Sequence, residues 1–334
     1  MTIMKTTAKW LSGIILLAVI IYLSGPQPSK PDFTTPDFNL PGSLAELEKM
    51  VNESESAVKG LRPGNEARIV WADTAVKQKT KVAILYLHGF SASQAEGEPV
   101  HRNLAKKYNA NLYLSRLSEH GIDAGDSTMI NLTAENYFIS AERALEITKR
   151  IGDEVIVIGT SAGGALTLFL ASRHPEIKAI VLYSPCVALY DKGAAILDNP
   201  WGLQVGRKVK KGLTAKFEPS GEDHARNWVM EYRLEALVAL QDLVTNTMKA
   251  ETFEKVMCPV FLAYYYKNEE EQDKTVSVPA MLEMFEQLGT PPDMKRKMAF
   301  PETGAHVIAS YIRSKDWQSV QNETDKFLSE IVKP

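Results

Sequence analysis

Val155-Ile156-Val157-Ile158-Gly159-Thr160-Ser161-Ala162-Gly163-Gly164 is the stretch on which the reading of the chain turns. Four β-branched residues stop at Gly159, and a run of small residues starts just after Ser161. That order reads as a buried strand, a sharp turn and the first turn of a helix. G-x-S-x-G in this context holds its serine in a strained backbone conformation and pushes the hydroxyl clear of the sheet. Gly159 and Gly163 leave room for the helix to cross close to the strand. An ordinary helix N-cap is the plain alternative for Ser161. The strand before it and the helix after it favour a nucleophile.

On both sides of this stretch the chain alternates strands and helices. Arg68 to Ala72 reads as an edge strand, and Lys81 to Leu87 as an apolar strand ending in His88-Gly89-Phe90-Ser91. Pro99 to Tyr108 is helical, Asn111 to Leu114 a strand, and Ala134 to Ile151 a long amphipathic helix. The Ser161 helix runs to about Ser172, and Ile180 to Tyr183 is the next strand. Cys258 to Tyr264 and Arg296 to Phe300 are the last strands, with a helix over Val278 to Leu288 between them. Helices from Val307 to Val332 close the sheet. The alternation predicts an α/β fold with a doubly wound, mostly parallel sheet covered on both faces. It lapses from Pro185 to Lys255, where Pro and Gly interrupt the pattern before a helical stretch over Tyr232 to Lys249. That segment reads as an insertion. The expected organisation is a core over 43–185 and 256–334, with a cap over 186–255.

The N-terminus stands outside this core. Lys5 and Lys9 precede an apolar run from Leu11 to Leu23. As a helix this run spans about 20 Å, against roughly 30 Å of bilayer hydrocarbon. Residues 1–24 read as a short transmembrane anchor reaching the interface through Lys9 and Trp10, or as a signal segment that is cleaved on export. The flanking charges set the catalytic domain on the extracytoplasmic side. Residues 25–42, with five prolines, form an extended tether. Ser43-Leu44-Ala45-Glu46 is a capping box opening a helix to about Lys59.

Composition narrows the function. The chain has 334 residues, 45% of them apolar, and a net charge of −3 with no basic block, so nucleic acid is not an expected partner. Six histidines and two cysteines in no ligand-like spacing exclude a structural metal site of the usual kind, and no motif calls for a cofactor. Cys186 and Cys258 fall at opposite ends of neighbouring parallel strands, roughly 20 Å apart, far beyond the ~7 Å a disulfide can bridge.

A serine hydroxyl needs a base within hydrogen-bond reach, and that base needs a carboxylate to fix its tautomer. In a doubly wound sheet both belong on loops after later strands, at the carboxyl edge. His306 follows the last strand in Phe300-Pro301-Glu302-Thr303-Gly304-Ala305-His306. The carboxylate comes from Asn268-Glu269-Glu270-Glu271-Gln272-Asp273: Asp273 is favoured because Val276 can anchor its loop, with Glu269 to Glu271 as the alternative. An oxyanion would be held by the N–H groups of Ala162 and Phe90. His88 braces the loop that carries Phe90.

With His88-Gly89-Phe90-Ser91, Arg116-Leu117…His120-Gly121, Gly159-Thr160-Ser161-Ala162-Gly163, Asp273-x-x-Val276 and Gly304-Ala305-His306 in this order, the chain resembles the α/β-hydrolase-fold serine hydrolases, close to the esterase and monoacylglycerol-lipase-like branch. The resemblance covers about Ala67 to Val332. It implies a cap between the sixth and seventh strands of the family's sheet, here Pro185 to Lys255, with Trp201, Leu203, Val205 and Phe217 as candidates to line an acyl pocket. It also implies hydrolysis of a small-molecule carboxylic ester through an acyl-enzyme. A peptidase, thioesterase or acyltransferase would use the same residues, and a catalytically silent binding protein would lack one of them. Acyl length, alcohol group and oligomeric state are not written in these motifs.

Overall fold

A computed structural model describes residues 2–332, with the backbone alone for residues 2–9. Its centre is a seven-stranded sheet of order β1-β3-β2-β4-β5-β8-β9. The strands are β1 (Arg68–Val70), β2 (Thr80–Leu87), β3 (Asn111–Leu114), β4 (Gly152–Thr160), β5 (Ala179–Tyr183), β8 (Val260–Tyr264) and β9 (Lys295–Ala299). Only β1 is antiparallel, on the edge beside β3; every other pairing is parallel. β6 (Thr214–Lys216) and β7 (Glu231–Arg233) form a separate antiparallel ribbon inside the insertion.

The parallel strands are apolar on both faces because helices cover both. Leu85, Leu87, Val155, Val157, Ile180, Leu182 and Leu262 point to one face, where they meet α4 (Ala134–Ile151), α5 (Ala162–Ala171), α8 (Leu234–Thr247) and α10 (Val278–Gln287). Ile84, Tyr86, Ile156, Ile158, Val181, Tyr183 and Phe261 point to the other, under α3 (Val100–Lys107) and α11 (Trp317–Ile331). The strict alternation along β4 follows from the two-residue period of a strand. Each fully buried Val, Leu or Ile is worth about 1.5–3 kcal/mol.

Several segments differ from the expectation. α8 is not part of a detached insertion. Leu234, Ala236, Leu240 and Leu243 are buried in the same cluster as the helices on that face, so α8 is the covering helix of the β5–β8 crossover. The segment before it is the irregular part, with α6 (Gly202–Lys210), α7 (Glu222–Asn227) and the β6–β7 ribbon; α9 (Ala250–Phe253) follows. After β9, residues 307–314 are turns, and α11 alone closes that end. The cysteines are free: Cys186 lies past the end of β5 and Cys258 before the start of the adjacent parallel β8.

α1 (Thr2–Leu23) is a helix, but among the described residues no helix is long and apolar enough to cross a membrane. A transmembrane anchor is therefore not what is found. The physical reason is length: the unbroken apolar stretch falls short of the hydrocarbon thickness. The tether that follows has no regular structure and is pinned to the core. Phe33 packs edge-on against Phe138 and Phe169, and Arg173 donates to the Phe33 carbonyl. α2 (Leu44–Ser56) opens with Ser43 accepting the Glu46 N–H, while the Glu46 carboxylate takes the Ser43 hydroxyl at 2.6 Å instead of a backbone N–H. Its last turn delivers Glu55, which grips Arg116 through two bonds of 2.6 and 3.1 Å and fixes the loop after β3.

The crossing of α5 over β2 and β4 is very close. A Cβ at residue 163 would overlap the carbonyl oxygens of Leu87 and His88, and one at residue 159 would overlap the carbonyl of Gly163. Gly163→Ala is expected to destabilise the fold by about 1–3 kcal/mol, because backbone and not a flexible side chain must move. Gly212→Ala, where the nearest atom is 3.9 Å away, serves as the control. Chemical denaturation checks this; equal stability of the two variants would contradict the close approach.

Candidate active site

Ser161 sits at φ +54°, ψ −119°, a conformation that a side-chain-bearing residue rarely adopts. Its backbone is held on three sides. Ser161 N–H donates to the Tyr183 carbonyl at 2.9 Å, and the Ser161 carbonyl accepts from Cys186 and Ala165. Although Ser161 precedes the helix as its N-cap, its side chain makes no capping bond. The hydroxyl is therefore left to a cavity of about 510 Å³, which Ser161 shares with Phe90, Glu96, Phe217 and His306.

His306 reaches this cavity from the loop after β9. Its Nδ1 lies 2.6 Å from Asp273 Oδ2. Asp273 is buried, and its other oxygen accepts the N–H groups of Thr275 (2.8 Å) and Val276 (3.1 Å). Burial alone would raise the Asp273 pKa, but the His306 charge and these three bonds outweigh it and hold the carboxyl below its usual range. Burial pulls His306 down, and Asp273, with help from Glu96, raises it above its ordinary value. Glu269, Glu270 and Glu271 are exposed on the same loop and take no part. His306 Nε2 is buried and, among the described residues, has no hydrogen-bond partner, Ser161 Oγ included. Such bonds are often loose before a substrate is bound.

Among the described residues the N–H groups of Phe90 and Ala162 donate to no protein acceptor, so both remain available to an oxyanion. The Phe90 loop is braced as its sequence suggests. His88 is neutral, pushed down to about 4 chiefly by burial; its Nδ1–H donates to the Gly89 carbonyl and its Nε2 accepts the Leu117 N–H at 3.1 Å.

The structure does not gather all the candidate pocket residues. Phe217 lines the cavity, with Leu189, Tyr232 and Leu237. Trp201 and Leu203 do not. Trp201 bonds through Nε1 to the Ile21 carbonyl and through its N–H to the Pro26 carbonyl, tying the insertion to the N-terminal segment. Leu203 lines a second cavity beside that tether, with Pro26, Leu132 and Val238. Val205 is exposed and lines neither. Trp201 and Leu203, just before and on α6, both serve the N-terminal segment and the tether, so apolarity alone could not assign them.

One residue was missed. Glu96, on the short turn after the Phe90 loop, is 2% exposed and lines the cavity that holds Ser161 and His306. Its Oε2 accepts the Gly89 N–H at 2.5 Å and the Tyr86 hydroxyl at 3.4 Å. Burial raises its pKa to about 7, offset in part by the Gly89 N–H, His306 and Tyr86. No signal in Gln94-Ala95-Glu96-Gly97 marks it, since a glutamate in a polar loop reads as solvated.

The Asp273–His306 pair has a direct readout. Titration of the His306 ring by NMR is expected to give a midpoint above ~6.5. In Asp273→Asn it should fall, because the imidazolium loses its neighbouring charge. The raised His306 accordingly adds stability that is complete below about pH 6.5 and is lost as the pH rises through its folded value, while the lowered Asp273 adds stability that is lost as the pH falls through its own. An unchanged midpoint in the variant would contradict the pairing.

The chain is 34% identical over 184 residues to the thermostable monoacylglycerol lipase of Bacillus sp. (strain H-257), an alignment covering 54% of this chain and 68% of that one. Among solved structures it matches a metagenome-derived lipolytic enzyme with a TM-score of 0.64 at 17% identity, over 81% of this chain and 99% of that chain. It also matches a soluble variant of monoglyceride lipase from Saccharomyces cerevisiae with a TM-score of 0.58 at 12% identity, over 79% and 91%. At these identities the two structures speak for the fold, which is that of the α/β hydrolases. The model of the BAAT / acyl-CoA thioester hydrolase C-terminal family matches residues 135–310, more than half of the sequence and the part that runs from α4 through His306, and the chain belongs to that family.

Proposed function

We propose that the protein hydrolyses carboxylic esters of apolar acyl groups, monoacylglycerol-like esters among them, through Ser161, His306 and Asp273. Family membership and the lipase relative support ester hydrolysis in general. The observation that carries the finer reading is the state of His306. Its Nδ1 is committed to Asp273 at 2.6 Å, while its Nε2 is an unpartnered acceptor in the cavity that holds Ser161. A neutral imidazole so arranged is built to take a hydroxyl proton.

Ser161 Oγ attacks the ester carbonyl as His306 Nε2 takes its proton, and Asp273 steadies the imidazolium that forms. The Phe90 and Ala162 N–H groups hold the oxyanion. The alcohol leaves with the proton from His306, and water then releases the acid from the acyl-enzyme. Phe217, Leu189, Tyr232 and Leu237 give the cavity apolar walls suited to an acyl chain. Acyl transfer from a thioester is the second reading, and the family's own description favours it over peptide cleavage. A catalytically silent protein is disfavoured because serine, histidine and acid are all present.

We also propose an extracytoplasmic catalytic unit, exported or surface-held by the N-terminal segment. Lys5 and Lys9 before an apolar run, and a proline-rich tether after it, support this. Fractionation of expressing cells tests it; recovery of the active protein in the cytosol would contradict it. For the chemistry, Ser161→Ala is expected to lower kcat on a p-nitrophenyl ester by roughly 10⁶-fold. Retention of most of the activity would remove Ser161 from the mechanism.

A further inference from the structure

Asp273 accounts for the carboxylate that the proposed triad needs, so Glu96, which lines the cavity, is a second buried carboxyl with no part in that triad. Among the described residues it has no ion pair, and both of its protein donors, Gly89 N–H and Tyr86 hydroxyl, go to Oε2. Among the described residues Oε1 has no protein donor. A Cβ placed on Gly89 would lie 2.9 Å from Oε1 and 3.0 Å from Ser161 Cβ, so the free oxygen is within about 6 Å of the nucleophile's Cβ. His306 lines the same cavity, and among the described residues its Nε2 has no hydrogen-bond partner. It stays an acceptor while the serine oxygen carries an acyl group.

Two acceptors thus belong to residues that line one cavity with Ser161. An ester oxygen offers neither of them a hydrogen, and an alcohol offers one. Water offers two O–H donors and satisfies both.

Resting on the triad reading above, we propose that Glu96 is a positioning residue that holds the hydrolytic water between its Oε1 and His306 Nε2 in the acyl-enzyme. The water oxygen attacks the acyl carbon while one of its protons passes to Nε2. The bond from the acyl carbon to Ser161 Oγ then breaks, that proton moves to Oγ, and the carboxylic acid leaves. Glu96 keeps the hydrogen bond from the second O–H throughout and neither gains nor loses a proton. Its task falls on the second half of the reaction alone, and it favours water over an alcohol as acyl acceptor.

Glu96→Gln is the informative variant. Its amide oxygen can still accept the Gly89 N–H, so the oxyanion loop keeps its brace, but the cavity-facing group becomes a donor. With p-nitrophenyl butyrate at pH 8, kcat is expected to fall about tenfold or more and KM to fall with it, leaving kcat/KM within about twofold of the parent. Acid-quenched samples should show butyryl-enzyme accumulating by intact-protein mass spectrometry. A merely structural role would lower kcat and kcat/KM together, and that result, or an unchanged kcat, overturns the proposal. Labelling of Ser161 by a fluorophosphonate, run on both proteins, separates the two layers. Equal labelling without the kinetic split rejects the role of Glu96 alone, whereas no labelling of the parent rejects the triad reading and this proposal with it.

Discussion

The backbone of Ser161 is the constraint on which the rest of the molecule depends. A non-glycine residue at φ +54° costs about 1–3 kcal/mol, and it persists only where the surroundings over-determine it. Here they do. The N–H is an extra rung of the β4–β5 ladder, and the carbonyl is shared between the first turn of α5 and the chain leaving β5. Glycines at 159 and 163 let α5 lie against the carbonyls of β2 and β4. The strain turns the serine out of the helix that follows, which is why its hydroxyl makes no capping bond and faces the cavity. The same crossing leaves the Ala162 N–H at the start of a helix, where backbone donors have no partner of their own.

Two buried carboxyls belong to this region, Glu96 lining the cavity of the serine and Asp273 behind His306, and their environments drive them apart. Asp273 receives two backbone N–H groups and the imidazole, and those donors keep it ionised against the cost of burial. Glu96 receives one backbone N–H and a distant phenol, and burial prevails, holding it near 7. The number of donors, more than depth, separates a fixed anion that orients His306 from a group able to serve as an acceptor toward a bound molecule.

Much of this was legible in the sequence, for reasons that can be named. β4 and its turn were readable because a buried parallel strand must be a continuous β-branched run, and because only glycine fits at 159 and 163. His306 stood out because a parallel sheet presents one edge to ligands and no other histidine falls on the loops after the later strands, whereas the choice between Asp273 and Glu269 to Glu271 turned on burial, which a loop crowded with charge does not show. What escaped depended on distant packing. Whether Tyr232 to Lys249 joined the cap or the core turned on burial against α4 and α5, which its own amphipathic pattern does not encode. Trp201 is as apolar as Phe217, yet it serves the N-terminal segment while Phe217 serves the cavity. Glu96 looked solvated because nothing local says that its turn folds inward under the Phe90 loop. The N-terminal run was visible, but whether it could span a bilayer was a matter of a few residues of length.

The central claim is that one hydroxyl, one imidazole and two backbone donors converge on a single reacting carbon. A crystal structure of the protein after reaction with a fluorophosphonate tests this most directly. The account predicts phosphorus bonded to Ser161 Oγ, its oxygen within about 2.7–3.1 Å of the N–H nitrogens of both Phe90 and Ala162, and His306 Nε2 beside Oγ. Phosphorus on another residue, or its oxygen turned away from both nitrogens, would contradict it.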